Sequence, residues 1–128
     1  MAYKVIFEDF TKRHFIKTFA KKYKSAWDFT FTLLQKEFEQ IELLFVKSAV
    51  EIIVDAGGIW LCKTEFKIAG TDVSRHASGN RCIAAVHKEA SMVSVLLVYH
   101  KNDLGNSNET AKWKQIIKEN YPEYARLF

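Results

Sequence analysis

Between Ile59 and Lys101 the chain carries three β patterns in succession, and that run leaves few folds open. In Ile59–Ile68, Trp60, Cys62, Thr64 and Phe66 alternate with Leu61, Lys63, Glu65 and Lys67. Successive side chains of a strand leave opposite faces, so one face can lie on a core while the other carries Lys63, Glu65 and Lys67 together. Arg81–Val86 is the second strand. The third, Met92–His100, begins Met92-Val-Ser-Val-Leu-Leu-Val-Tyr99, the valine-rich pattern of a strand covered on both sides. The connections, Ala69–Asn80 and His87–Ser91, suit an antiparallel meander.

The flanks read as helices laid against this sheet. Tyr3–Glu8 alternates and is a first strand. Asp9 or Thr11 is placed to cap the next helix, where Ile16, Phe19, Ala20 and Tyr23 recur at i, i+3, i+4 and i+7. Lys21, Lys22 and Lys24 suit its C-terminus. Ser25-Ala-Trp-Asp28 has the form of a capping box. In the second helix Trp27, Phe31, Leu34, Phe38, Ile41 and Phe45 step by four and three, a stripe for the core. The two helices form a hairpin on one sheet face. Val50–Val54 fits either a short strand or a last helical turn, and Asp55–Gly58 is a turn. Asn106 or Asn108 caps a last helix, Asn108–Asn120, buried through Trp113, Ile116 and Ile117. Pro122 ends it, and Tyr121, Tyr124 and Phe128 form an aromatic tail. No linker or repeat divides residues 1–128. The expectation is one α+β domain: strand, helix, helix, three-stranded antiparallel meander, helix.

At 128 residues and 48% hydrophobic, the chain can bury a single core. No apolar run can cross a bilayer, and the N-terminus lacks a signal-peptide layout, so a cytoplasmic protein without membrane partners is expected. Cys62 and Cys82 lie among apolar neighbours and read as buried small hydrophobes. No His, Asp or Glu cluster has metal-ligand spacing, so neither metal nor cofactor is expected. The net charge of +4 is unevenly spread. Residues 1–24 are basic. Residues 28–55 are acidic, with Asp28, Glu37, Glu39, Glu42, Glu51 and Asp55 against Lys36 and Lys47, a poor surface for nucleic acid. The meander is basic again through Lys63, Lys67, Arg75, Arg81, Lys88 and Lys101.

Four segments carry a likeness to known proteins: Asp55-Ala-Gly-Gly-Ile-Trp-Leu-Cys-Lys63, the Gly70 loop, Ser78-Gly-Asn-Arg81-Cys-Ile, and Val98-Tyr-His-Lys101 followed by Asn106. They resemble the RelE/ParE superfamily of toxins. The nearest likeness is to HigB-type RelE-like toxins, with a glycine-rich turn, a Lys-bearing strand, a Ser-Gly-x-Arg loop and an aromatic-x-Lys ending. The resemblance implies a small α+β toxin of a type II toxin–antitoxin system, held inactive by a cognate antitoxin and meeting DNA only through that complex. Many such relatives cut messenger RNA in the ribosomal A site without a metal, whereas ParE-type relatives poison gyrase. Lys63, Arg81 and Lys101 match the family's basic positions. Glu65 stands where the family pattern has an arginine, and Ile68 where it often has another; Lys67 can partly replace the lost charge.

RNA cleavage by a 2′-hydroxyl needs a base, cations facing the phosphoryl charge, and an acid for the leaving oxygen. Lys63, Lys67 and Arg81 suit the cation role, Arg81 with a bidentate fork. His100 or Glu65 can move a proton, and Lys101 extends the basic set. Tyr99 can stack on a base, with Arg75 as a second substrate contact. In a regular strand His100 and Lys101 leave opposite faces, so at most one joins Lys63 unless a bulge or the turn intervenes. Glu65 is also placed for a cross-strand ion pair with Arg81. His14, His76 and His87 read as surface residues. Two classes of function remain: an RNA-cleaving toxin on the basic sheet face, or a toxin-like binding protein that inhibits gyrase or only engages an antitoxin.

Overall fold

The computed structural model describes residues 2–105 and 107–128. Five strands, β1 (Lys4–Phe7), β2 (Val50–Ala56), β3 (Ile59–Phe66), β4 (Asn80–His87) and β5 (Met92–His100), form one sheet in the order β1-β5-β4-β3-β2. The meander β3–β4–β5 is antiparallel, as its short links require. Val50–Val54 belongs to β2, an antiparallel edge strand. β1 adds to the other side of β5 and runs parallel to it, from Lys4 opposite Met92 to Phe7 opposite Val95. β5 is thus paired on both sides, and Val93–Tyr99 is wholly buried.

Between β1 and β2 the chain runs through α1 (Asp9–Thr11), a π turn (Lys12–Ile16), α2 (Lys17–Tyr23), α3 (Ser25–Glu39) and α4 (Ile41–Val46). After β5 come a 3₁₀ turn (Lys101–Leu104), α5 (Glu109–Asn120) and α6 (Pro122–Ala125). The expected stripe faces the sheet: Trp27, Leu34, Phe38 and Ile41 are buried, Phe31 and Phe45 half-buried. Phe19 stacks on Trp27, with ring centroids 4.8 Å apart. This first core includes Cys62, Phe66, Cys82 and Val95. The opposite sheet face is not open. Leu61, Ile83, Leu97 and Tyr99 form a second core there with Trp113, Ile117, Tyr121 and Tyr124. The aromatic tail packs back, Tyr121 OH donating to Leu96 O at 2.7 Å. Tyr124 OH lies 2.8 Å from His87 Nε2, so His87 is half-buried and partnered rather than a free surface residue.

Among the described residues, the expected side-chain caps do not form. Glu8 precedes α1, and Thr11 is buried, its Oγ1 accepting the Val98 N–H at 2.8 Å. β1 stops opposite Val95, so Val98 has no strand partner on that side and the threonine supplies one. At α3 the N–H groups of Trp27 and Asp28 donate to Lys24 O. That starts the helix one residue early and leaves Ser25 inside it, without a capping box. Asn108 precedes α5 without a side-chain cap; Asn106 lies outside the described residues.

Burial pushes the Cys62 thiol from 9.0 up to about 12 and raises that of Cys82 as well. Above pH 9 the unfolded chain releases these protons while the folded chain keeps them. Stability should therefore fall as pH rises, with a slope of up to about 1.4 kcal/mol per pH unit for each thiol. Urea titrations on either side of pH 9 check this, and the Cys62→Ala/Cys82→Ala variant should show a flatter slope.

Candidate functional site

Strand register assembles the site. Glu65 lies opposite Arg81, and Arg81 opposite Tyr99. Lys63 shares the face of Glu65 two residues away. Arg81 Nη1 is 2.7 Å from Glu65 Oε2, the expected cross-strand ion pair. Glu109, in the first turn of α5, reaches over from the second core: its Oε2 lies 3.5 Å from Arg81 Nε and 3.7 Å from Lys63 Nζ. Tyr99 OH donates to that same oxygen at 2.7 Å. His76 Nδ1 completes the cluster, 2.8 Å from Glu65 Oε2. Two cations therefore face two carboxylates. Arg81 is only 6% exposed, so the carboxylates rather than water compensate its charge. A cavity of about 320 Å³ opens beside Lys63, Glu65, His76 and Arg81, with Ser48 and Glu51 on its far wall.

Other expected site residues go elsewhere. Tyr99 is fully buried and presents no ring to a base. Burial and its bond to Glu109 push its phenol pKa far up, so it stays a donor that holds Glu109 in place. His100 is on the opposite face. Ile83 pairs with Leu97 but Ala84 with Val95, so Leu96 is an extra residue in β5. This bulge reverses the parity of the strand beyond it, sending Tyr99 to the Lys63 side and His100 to the hairpin side. There His100 lines a cavity of about 330 Å³ with Phe19, Tyr23 and Asn80. Its Nδ1 accepts the Asn102 N–H at 3.1 Å, capping the 3₁₀ turn.

Lys101 lies in that turn and shares a surface hollow with Asn108 and Glu109, at the rim of the cluster. Lys67 does not join Lys63. The strand ends at Phe66, and Lys67 lines a groove with Leu33 and Arg75 on the hairpin side. Arg75 is likewise removed, its Nη1 2.6 Å from Glu37 Oε2 on α3.

Sequence reasoning missed His76 and Glu109. The loop carrying His76 is fixed by Ser78, whose Oγ donates to Arg75 O at 2.6 Å and accepts the Asn80 N–H at 3.1 Å. Gly79 closes the loop with φ +77°, and a Cβ there would sit 2.6 Å from His100 Nε2. Gly79→Ala should cost about 1–3 kcal/mol, from the left-handed backbone and the close approach together. Thermal or urea unfolding measures it; a change within error would show that the loop relaxes freely.

The fold is α+β with helices on both faces of a mixed sheet, and the site is a charged cluster at one end of its meander. No protein-family model matches the chain, and no curated protein sequence matches it. Among solved structures, the crystal structure of the archaeal RelE–RelB complex from Pyrococcus horikoshii OT3 aligns with a TM-score of 0.56. Identity is 15%, over 80% of this chain and 98% of that one. The likeness is one of fold, and this chain has a RelE-like fold.

Proposed function

We propose that this protein is the toxin of a toxin–antitoxin pair, cytoplasmic, acting on messenger RNA at the ribosome as an endoribonuclease of the HigB-like kind. One observation carries the chemistry: the Glu65 carboxylate lies within hydrogen-bonding distance of both His76 and Arg81, beside a cavity that Lys63 also lines. Glu65 takes the proton of the 2′-hydroxyl as that oxygen attacks the neighbouring phosphorus. Lys63 and Arg81 face the charge gathering on the phosphoryl oxygens. His76 gives a proton to the departing 5′-oxygen. Glu109 orders both cations while the cavity is free of RNA, and phosphate competes with it for them. The antitoxin is the protein partner, and DNA is met only through the complex with it.

The same cluster favours a second reading. Both cations already have carboxylate partners, so the face is less basic than cleavage by cations alone requires. A binding inhibitor of gyrase, or a protein that only engages an antitoxin, needs no free cation. Primer extension on ribosomes translating a defined message separates the two. The nuclease reading expects new 5′ ends with wild-type protein and none with Glu65→Gln. Intact messages during growth arrest by the wild type would leave the inhibitor reading standing.

A further inference from the structure

The cavity that His100 lines, on the hairpin side of the sheet, has no part in the Lys63–Arg81 chemistry. It holds about 330 Å³, and Lys22 and Asp103 join Phe19, Tyr23, Asn80 and His100 around it. That is near the low end for small-molecule sites, which suits one base and its sugar rather than a longer ligand. Phe19 and Tyr23 lie one helical turn apart with their rings nearly parallel, centroids 6.2 Å apart. Lys22 is exposed, and its Nζ stands 5.2 Å from the centre of the Tyr23 ring. Asn80 is 4% exposed, and its Oδ1 has no hydrogen-bond partner among the described residues. A buried acceptor left unpaired is costly, and a donor entering the cavity relieves it. His100 Nδ1 accepts the Asn102 N–H, so the neutral ring carries its proton on Nε2, as a donor.

These groups match the three parts of a nucleotide. An aromatic face stacks on any base, and the double ring of a purine covers it best. The carboxamide of Asn80 sets an acceptor beside a donor, which complements the paired donor and acceptor on a base edge. The last torsion of an asparagine is soft, so the amide can turn to meet that edge. Asp103 Oδ2 accepts the His100 N–H at 3.1 Å, which fixes this carboxylate at the cavity as an acceptor for ribose hydroxyls. The phosphate falls to Lys22: a base stacked on Tyr23 takes the place of the ammonium, whose flexible stem lets it swing to the anion. Lys17 and Lys21 lie on the same helix, α2, which carries no carboxylate. We infer that this cavity is a binding site for a purine nucleotide, taken up free or as one unit of a single strand, since both present the same base, sugar and phosphate. The site is separate from the Lys63–Arg81 cluster and does not depend on RNA cleavage.

The test is calorimetric titration of the full chain with 5′-AMP, 5′-GMP, the matching nucleosides and ribose 5-phosphate. Both nucleotides should bind about tenfold or more tightly than ribose 5-phosphate, which has no base to stack. They should also exceed their nucleosides, by a margin that narrows as salt rises. Lys22→Ala, at an exposed position, should remove that margin with circular dichroism unchanged. Asn80→Leu is close in size and replaces an unpaired buried polar group, so it should fold at least as stably as the wild type yet lose about tenfold in nucleotide affinity. Tyr23→Ala should lose a similar factor. An oligoadenylate or oligoguanylate hexanucleotide separates the sources: affinity equal to the mononucleotide's supports a free nucleotide, and affinity about tenfold higher supports a unit of a strand. Ribose 5-phosphate binding as tightly as 5′-AMP and 5′-GMP would overturn the inference. So would full nucleotide affinity in both Asn80→Leu and Tyr23→Ala, or no binding by the wild type at millimolar nucleotide. Binding alone is read, so intact messages on the ribosome would count against the nuclease reading and leave this site untouched.

Discussion

Arg81→Ala should lower single-turnover message cleavage on translating ribosomes by about 10²–10³, the usual loss when one fixed donor facing transition-state charge is removed. Lys63→Ala should fall in the same range. Removing an ordinary phosphate contact would instead weaken ribosome binding and flatten its salt dependence by about one unit of slope. The two measurements together therefore assign each cation. Arg81 carries a complication that the structure makes explicit. Its guanidinium compensates Glu65 and faces Glu109, and its side chain is 7% exposed. Truncation leaves Glu65 with His76 alone and Glu109 with Lys63 and Tyr99, and should also cost about 1–3 kcal/mol of stability. Arg81→Lys keeps the charge and loses the fork, so it should fold better yet remain impaired in cleavage. Unchanged cleavage in folded Arg81→Lys and Lys63→Ala would remove both residues from the chemistry.

Phe38→Ala should destabilise the fold by about 3–5 kcal/mol, the range for truncating a buried aromatic. Phe38 is 1% exposed, near the C-terminal end of α3, with its ring edge-on to Phe7 of β1 at 6.3 Å. The loss joins a transfer term to a cavity term, because the helix cannot collapse onto a strand already held by β5. Against a typical total of about 5–15 kcal/mol it should move the urea midpoint far while leaving the m-value alone. Phe29→Ala, on the opposite side of the same helix, should stay within about 0.5 kcal/mol. A loss below about 1 kcal/mol for Phe38→Ala would mean that the hairpin does not rest on the sheet as described.

What could be read from the sequence was what repeats at short range. The period of two in β3 gave its faces, and Glu65 was placed for the cross-strand ion pair with Arg81 that the register provides. The step of four and three gave the hairpin helix and its buried side. What could not be read depended on contacts between distant segments. Val98 lacks a strand partner only because β1 stops short, and nothing local in Thr11 reveals that it fills the gap. Lys67 obeys strand parity in sequence, but the strand ends one residue before it. The extra residue at Leu96 moves every later side chain of β5 to the other face, which exchanges the places of Tyr99 and His100. Glu109 enters the cluster only because α5 covers the second sheet face. An isolated glutamate before a helix carries no local mark of that.

The pairing of β1 with β5 also bears on the order in which the chain is made. Lys4 finds its partner at Met92, so the first strand and the helical hairpin leave the ribosome well before the strand they rest on exists. Until then the aromatic stripe of α3 has no central strand to cover, and such non-local pairings form late and slowly. Lys63, Glu65, His76 and Arg81 all precede β5, whereas Glu109 comes after it. The cluster is complete only once β5 and Glu109 have emerged. For a protein whose proposed target is the translating ribosome, this ordering keeps the site unassembled while the nascent chain is still tethered to the particle that is making it.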